Sequence, residues 1–176
     1  MQTKALMLPI GARIDWSQFE QSIHERFDVN AVALDKNGNR KTAGAFLLVN
    51  DLCKLIKNNL NAKKRICDAL QRQMINEARV LKRYITQECL AGIYRRLLPI
   101  IRDNEIVGYV SVCGRPLSTR PLIYADYIHE ITGVDRKKID KSISTLNPIG
   151  PRAIKKMTHF IIDEAFQAGH EQINPW

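Results

Sequence analysis

The sequence predicts an α+β domain: an antiparallel five-stranded sheet with a helical crossover and C-terminal helices. Three observations predict it. Runs with apolar residues at helical spacing alternate with short β-branched and aromatic runs, in the order helix, two strands, two helices, three strands, helices. Asn37-Gly38 and Asp103-Asn104 mark tight turns between neighbouring strands. The chain has 176 residues, 45% apolar and 26% charged, as expected of one ordinary globular domain able to bury a core.

Taken in order, Asp15 with Gln18 three residues on is an N-cap with a capping-box partner. Behind it Trp16, Phe19, Ile23 and Phe27 recur at helical spacing. Residues 29–34 read as a strand. Lys36-Asn37-Gly38-Asn39 supplies the Asn-Gly pair of a type I′ turn, in which both central residues need positive φ, so a hairpin is expected with its second strand over 40–46. Asn50 caps a helix carrying Leu52, Cys53, Leu55, Ile56 and Leu60, and a second helical run carries Ile66, Cys67, Leu70, Met74, Ile75 and Ala78. Both cysteines sit among apolar positions and are expected to face inward.

Three strands follow, 84–89, 94–101 and 106–113, the last two joined by the Arg102-Asp103-Asn104-Glu105 turn. Residues 115–121 hold two prolines and read as a loop. Helices over 122–131, 136–146 and 152–168 fill the remainder, with Gly133 and Gly169 at C-cap positions. A hairpin, a helical crossover and a three-strand meander with helices on one side form the layout of a PAS-like sensor domain, whose concave sheet and helical lid leave an internal pocket. Residues 1–14 are expected to be an N-terminal extension and 15–176 the domain.

Lys and Arg number 27 against 18 Asp and Glu, a formal net charge of +9. Such an excess hints at an anionic partner and says nothing of fold. Most of the basic residues fall on faces that a helix turns to water, so a solvated surface is the simpler reading. Nucleic-acid binding through helices 136–146 and 152–168 is a weakly supported alternative, because no zinc-finger, RNP or homeodomain pattern accompanies the charge. No apolar run is long enough to span a bilayer and no signal-peptide pattern opens the chain, so a cytoplasmic protein without a membrane partner is expected. No nucleophile elbow, phosphate loop or H-E-x-x-H is present, and Asp126, Glu130, Asp163 and Glu164 form no evident acid–base pair. A non-catalytic protein is expected.

The four cysteines, Cys53, Cys67, Cys89 and Cys113, show no C-x-x-C pair. In a reducing compartment they would be thiols. His24, His129, His159 and His170 are dispersed and read as surface or satisfied polar groups. Arg95 and Arg96 must point to opposite faces of their strand, so one of them faces the pocket side, where an arginine prefers a carboxylate or phosphate. Arg115 raises the same expectation, and strand tyrosines such as Tyr109 are pocket-lining candidates beside their packing role.

Several segments together resemble the PocR family of PAS-like sensory domains of prokaryotic signalling proteins. Val32-Ala33-Leu34-Asp35-Lys36-Asn37-Gly38 resembles the family's opening strand with its Asp-x-x-Gly ending, and Lys64-Arg65-Ile66-Cys67-Asp68 its second cysteine with a basic lead-in. Cys89-Leu90-Ala91-Gly92-Ile93, followed by Leu98-Pro99-Ile100, is similar to a Cys-His-Ala-Gly-Leu element and its Pro-Ile. Gly108-Tyr109-Val110-Ser111-Val112-Cys113-Gly114 resembles the glycine-flanked last strand, and the helical tail with Gly133-Val134-Asp135 is alike in layout. The likeness covers residues 15–168. Leu90 departs from it where histidine is frequent, and Arg115 where glutamine is common.

The resemblance implies sensing rather than catalysis: a small-molecule ligand such as a short hydrocarbon derivative, held in an internal pocket, with the signal passed to an output partner or through a homodimer. The chain would be a free-standing sensor or a piece of a longer protein. The ligand-binding candidates are Phe46, Cys53, Cys67, Cys89, Arg95, Tyr109 and Arg115. If the fold gathers the thiols, Cys53, Cys67, Cys89 and Cys113 are candidate metal ligands, and thiolates select zinc or an iron–sulfur cluster. A redox module built on such a site is the alternative to ligand sensing, and inert apolar packing is the plainer role of buried thiols.

Overall fold

The computed structural model describes residues 15–43, 47–119, 121, 123–167 and 172–173. Helix α1, Trp16–Phe27, begins where the Asp15 carboxylate accepts from the N–H groups of Ser17 and Gln18, and ends at Asp28 in the left-handed region. Strand β1, Asn30–Asp35, follows. Asn50 caps α2, Asp51–Asn58, by accepting from the Cys53 N–H at 2.7 Å. The crossover continues through a single turn α3, Leu60–Ala62, a π-helix, Lys63–Asp68, and α4, Ala69–Leu81. Strands β2, Ile85–Glu88, β3, Tyr94–Arg102, and β4, Glu105–Cys113, form the meander. Helices α5, Ala125–Thr132, α6, Arg136–Ser144, and α7, Pro151–Gln167, follow, with a two-residue β5, Gln172–Ile173. Gly133 closes α5 at φ 68°, as its position suggests; Gly169 lies outside the described residues. Among the described residues no helix is long and apolar enough to cross a membrane.

The sheet is antiparallel with the order β1-β4-β3-β2, and β5 adds beside β3 at Ile100 and Ile101. Its main path therefore has four strands rather than the five expected. The missing member is the second strand of the first hairpin, expected over 40–46, of which the described residues show one bridge, between Leu34 and Arg40. The reason is Glu20, a buried carboxylate on α1. It accepts from the Ala33 N–H at 2.8 Å, from Arg40 Nη2 at 2.8 Å and from Thr42 Oγ1 at 2.9 Å. The Lys41 N–H still donates to the Ala33 carbonyl at 2.9 Å, but the α1 side chain takes the Ala33 N–H that would return the bond, and the ladder is interrupted there.

The turn chemistry also differs from expectation. Gly38 has φ 89°, but Asn37 is not left-handed, and the Asp35 carboxylate organises the turn by accepting from the Asn37 and Asn39 N–H groups at 2.8 and 2.9 Å. The consecutive left-handed pair is at Asp103 and Asn104, φ 50° and 64°, between β3 and β4. Short polar side chains tolerate that region without glycine.

Helices cover both faces of the sheet, not one. Strand alternation puts Ala31, Leu98, Ile100, Val110 and Val112 on one face, in a cluster with Phe19 and Ile23 of α1 and Met157, Ile161 and Ala165 of α7. The opposite face offers Leu34, Leu97 and Tyr109 to Met74, Ile75 and Ala78 of α4. A third apolar cluster joins Leu52 and Ile56 of α2 to Ile66, Ile93, Ile128 and Ile139.

Candidate functional site

On the α4-facing side of the sheet, beyond the Leu34–Tyr109 cluster, the packing opens into a pocket of about 430 Å³. Val32, Leu34, Arg95, Ser111 and Cys113 line it from the strands, and Lys63, Cys67, Asp68, Gln71 and Arg72 from the π-helix and the start of α4. Residues 37–40 of the turn and Lys57 of α2 complete the lining. The strand contribution follows from pleating: Arg95 pairs with Cys113, and Ser111 with Val32 and Leu97, so these side chains share one face.

The π-helix gives the pocket three of its residues, Lys63, Cys67 and Asp68. Its i→i+5 bonding makes a wider turn than an α-helix, and such insertions recur at functional sites. The Lys63 ammonium bridges the element by donating to both Asp68 carboxylate oxygens at 2.8 and 2.9 Å.

Arg95 joins the two walls. Its Nε donates to Ser111 Oγ at 3.0 Å, its Nη1 to the Cys67 carbonyl at 2.9 Å and its Nη2 to Gln71 Oε1 at 2.5 Å. Gln71 in turn donates through Nε2 to the Gly38 carbonyl at 3.1 Å. Strand, π-helix, α4 and turn are thereby held in one chain of hydrogen bonds. Gly38 suits the close approach: a Cβ there would lie 2.6 Å from Ile75 Cδ1.

The four thiols collect around the third apolar cluster, with Cys53 inside it and Cys67, Cys89 and Cys113 packed against it. Burial pushes the Cys53 thiol far above its ordinary pKa and the Cys67 thiol up to about 11, and in both the neighbouring Cys113 adds to the rise. Burial also raises Cys89, against the N–H groups of Ile93 and Ala91 that favour its thiolate. The Cys113 sulfur accepts from Asn30 Nδ2 at 3.6 Å, while Asn30 Oδ1 accepts from the Val49 N–H at 2.8 Å. Among the described residues no group of three or more His, Cys, Asp or Glu is arranged to hold a metal ion.

The sequence-selected residues thus divide. Cys67, Arg95 and Cys113 line the pocket. Cys53 and Cys89 lie in the adjoining apolar cluster. Tyr109, with no exposure, packs among Leu34, Met74 and Ile75. Arg115 is elsewhere: Nε donates to the Asn147 carbonyl at 3.0 Å, Nη2 to that of Pro148 at 2.6 Å and Nη1 to that of Phe27 at 3.3 Å. It clamps the α6–α7 connection to the end of α1. Phe46 lies outside the described residues. Arg96 takes the face opposite Arg95, donating to Thr158 of α7 at 2.6 Å. The dispersed histidines do cap locally: His24 and His129 meet the carbonyls of Val29 and Val134 at 2.9 and 2.7 Å.

Sequence reasoning missed Lys57, Lys63, Gln71, Arg72 and Ser111. Helical periodicity marks the lysines and arginines as solvent-facing, and the wider π-turn brings Lys63 and Asp68, five residues apart, to one wall. Ser111 had a signal, since it is a polar residue between Val110 and Val112 in a strand with two covered faces.

The chain matches the family model described as the sensory domain found in PocR, over residues 14–167, and it belongs to that family. No curated protein matches it.

Proposed function

We propose that this PocR sensory domain binds a small molecule in the pocket between β1, β3, β4 and the π-helix, and that occupancy is relayed to the C-terminal helices. The observation that carries this reading is the wall itself: a six-residue π-helix supplies Lys63, Cys67 and Asp68, and a strand arginine bonded to the Cys67 carbonyl joins them around about 430 Å³.

A route for the relay follows from chain continuity. Ser111 and Cys113 line the pocket at the end of β4, and Arg115, two residues on, holds the carbonyls of Asn147 and Pro148 just before α7. Pro116 accepts from the Ile149 N–H at 2.8 Å in the same connection. A shift of β4 therefore acts on the α7 start through direct bonds, favouring whichever arrangement the ligand binds better. The recipient is an output partner or a second copy of the chain. Binding and relay, with no bond made or broken, are the role of a sensory family, so no catalytic step is assigned.

A stabilising ligand should slow amide exchange in both the π-helix and residues 147–153. A screen in which no compound class raises the melting temperature would sink the pocket reading. Stabilisation without change at 147–153 would sink the relay alone.

A thiolate-held zinc ion or iron–sulfur cluster is the second reading. What favours it is the gathering of all four cysteines around one apolar cluster. It requires those thiols to lose their protons and close on one ion. Metal content and visible spectrum after anaerobic purification test it, and a colourless, metal-free protein would end it.

A further inference from the structure

Arg95 is only 8% exposed, yet its three hydrogen-bond partners, Ser111 Oγ, the Cys67 carbonyl and Gln71 Oε1, are all neutral. Among the described residues no carboxylate makes an ion pair with it. Burying a guanidinium without a counter-charge is costly, and folded chains ordinarily match such a group with an anion. Asp68, the acid in the pocket lining, is engaged by Lys63 at 2.8 Å, and Glu20, outside the lining, holds Arg40 of the lining at 2.8 Å. Lys57 and Arg72 also line the pocket, and exposed Arg72 makes no ion pair among the described residues. The lining therefore has five basic side chains against one acid, Asp68.

Guanidinium has five N–H donors. Three are used here, which leaves one on each terminal nitrogen of a side chain that lines the pocket. Two donors on one fork are the complement of two oxygens of a carboxylate or phosphate. Val32, Leu34 and the thiols of Cys67 and Cys113 give the rest of the wall its apolar character.

From these observations we infer that the ligand is a small organic anion whose carboxylate or phosphate group meets Arg95 and whose short apolar body lies against Val32, Leu34 and the two thiols. The inference rests on the pocket being the ligand site, and it narrows the ligand class from neutral hydrocarbon derivatives to anions. Lys57 and Arg72 draw the anion in, and the fork of Arg95 orients it.

Matched probes at constant ionic strength test this: succinate against butane-1,4-diol, and glycerol 3-phosphate against glycerol, with inorganic phosphate as the bare oxyanion. The full chain should be stabilised in a saturable way by at least one anion and by neither neutral partner. Arg95→Gln should weaken that binding about 10- to 100-fold. Should that variant fail to fold, Arg72→Gln at the exposed rim carries the test, with an expected loss of about 3- to 10-fold and a shallower salt dependence. Arg136→Gln, a substitution of an arginine outside the pocket lining, should bind like the parent.

Stabilisation by the neutral diols with none by the anions overturns the anion assignment and leaves the ligand pocket standing. Anion binding that is equal in all variants also overturns it, because the charge would then be acting elsewhere. No stabilisation by either class overturns both the assignment and the pocket reading.

Discussion

The two faces of one sheet do different work. On the face covered by α1 and α7, Leu98, Val110 and Val112 meet Ile23, Met157 and Ile161 in apolar packing, and every one of them is 1% exposed or less. One residue along the same strands, Arg95, Ser111 and Cys113 face α4 and the π-helix, where packing gives way to a pocket. β3 and β4 thus present a sealed surface and a polar, partly open one at a spacing of a single residue. Stability is concentrated where side chains can fill space. Polar and charged side chains collect around the pocket beside the π-helix.

Substitutions on the two faces should therefore differ in size as well as kind. The largest effect is expected at Leu98→Ala, on the sealed face, with a loss of about 3–5 kcal/mol in chemical denaturation. A loss below about 1 kcal/mol would mean that the α7 layer collapses onto the gap and the face is not tightly packed. Glu20→Gln tests the tie between the faces, since an α1 carboxylate holds the arm that borders the pocket. About 3 kcal/mol should go with the buried pair to Arg40, together with faster amide exchange over residues 40–43. Unchanged exchange there would show that the arm is held by something else.

Gly38→Ala should cost about 1–2 kcal/mol, because its φ of 89° disfavours a side chain and the new Cβ would press on Ile75 Cδ1. A parent-like melting temperature would contradict the turn geometry. A smaller effect separates the faces by pH. The unfolded Cys67 thiol ionises near 9, whereas the folded one keeps its proton to about 11. Its contribution is fully present below pH 9 and is lost as pH rises from 9 towards 11, about 1 kcal/mol by pH 10. Cys53 and Cys89 shift in the same direction. Denaturation midpoints at pH 7 and 10 should show the decline, and Cys67→Ala should make it shallower by about the 1 kcal/mol that Cys67 contributes, leaving the part due to Cys53 and Cys89. The same Cys67→Ala change should be the mildest at pH 7, under about 1 kcal/mol, as a single small group removed from a pocket wall. A loss as large as that at Leu98 would erase the distinction between the faces.

Part of this was determined by the sequence alone. Asp15 and Asn50 start their helices because a short polar side chain can reach the first free N–H groups, which is a local matter. The meander is legible because alternation and turn residues act within a few positions. The separation of Arg95 from Arg96 follows from pleating and needs no tertiary contact. The PocR family is likewise recognisable in the order of its short motifs, as the match over residues 14–167 shows.

Other features were decided only when distant segments met. The second hairpin strand gave way because Glu20, thirteen residues before Ala33, takes the β1 donor and draws in Arg40 and Thr42. Arg115 became a clamp for the α6–α7 connection because Asn147 and Pro148, in the non-helical stretch between those helices, present their carbonyls within its reach. The π-turn over Lys63–Asp68 placed Lys63 and Asp68 on one pocket wall while Lys64 and Arg65 stayed exposed, and Arg95 was left among neutral acceptors. Local propensity sets what a segment tends to form. Which hydrogen-bonding groups meet a partner, and which buried charge is left among neutral acceptors, depends on contacts that exist only in the folded chain.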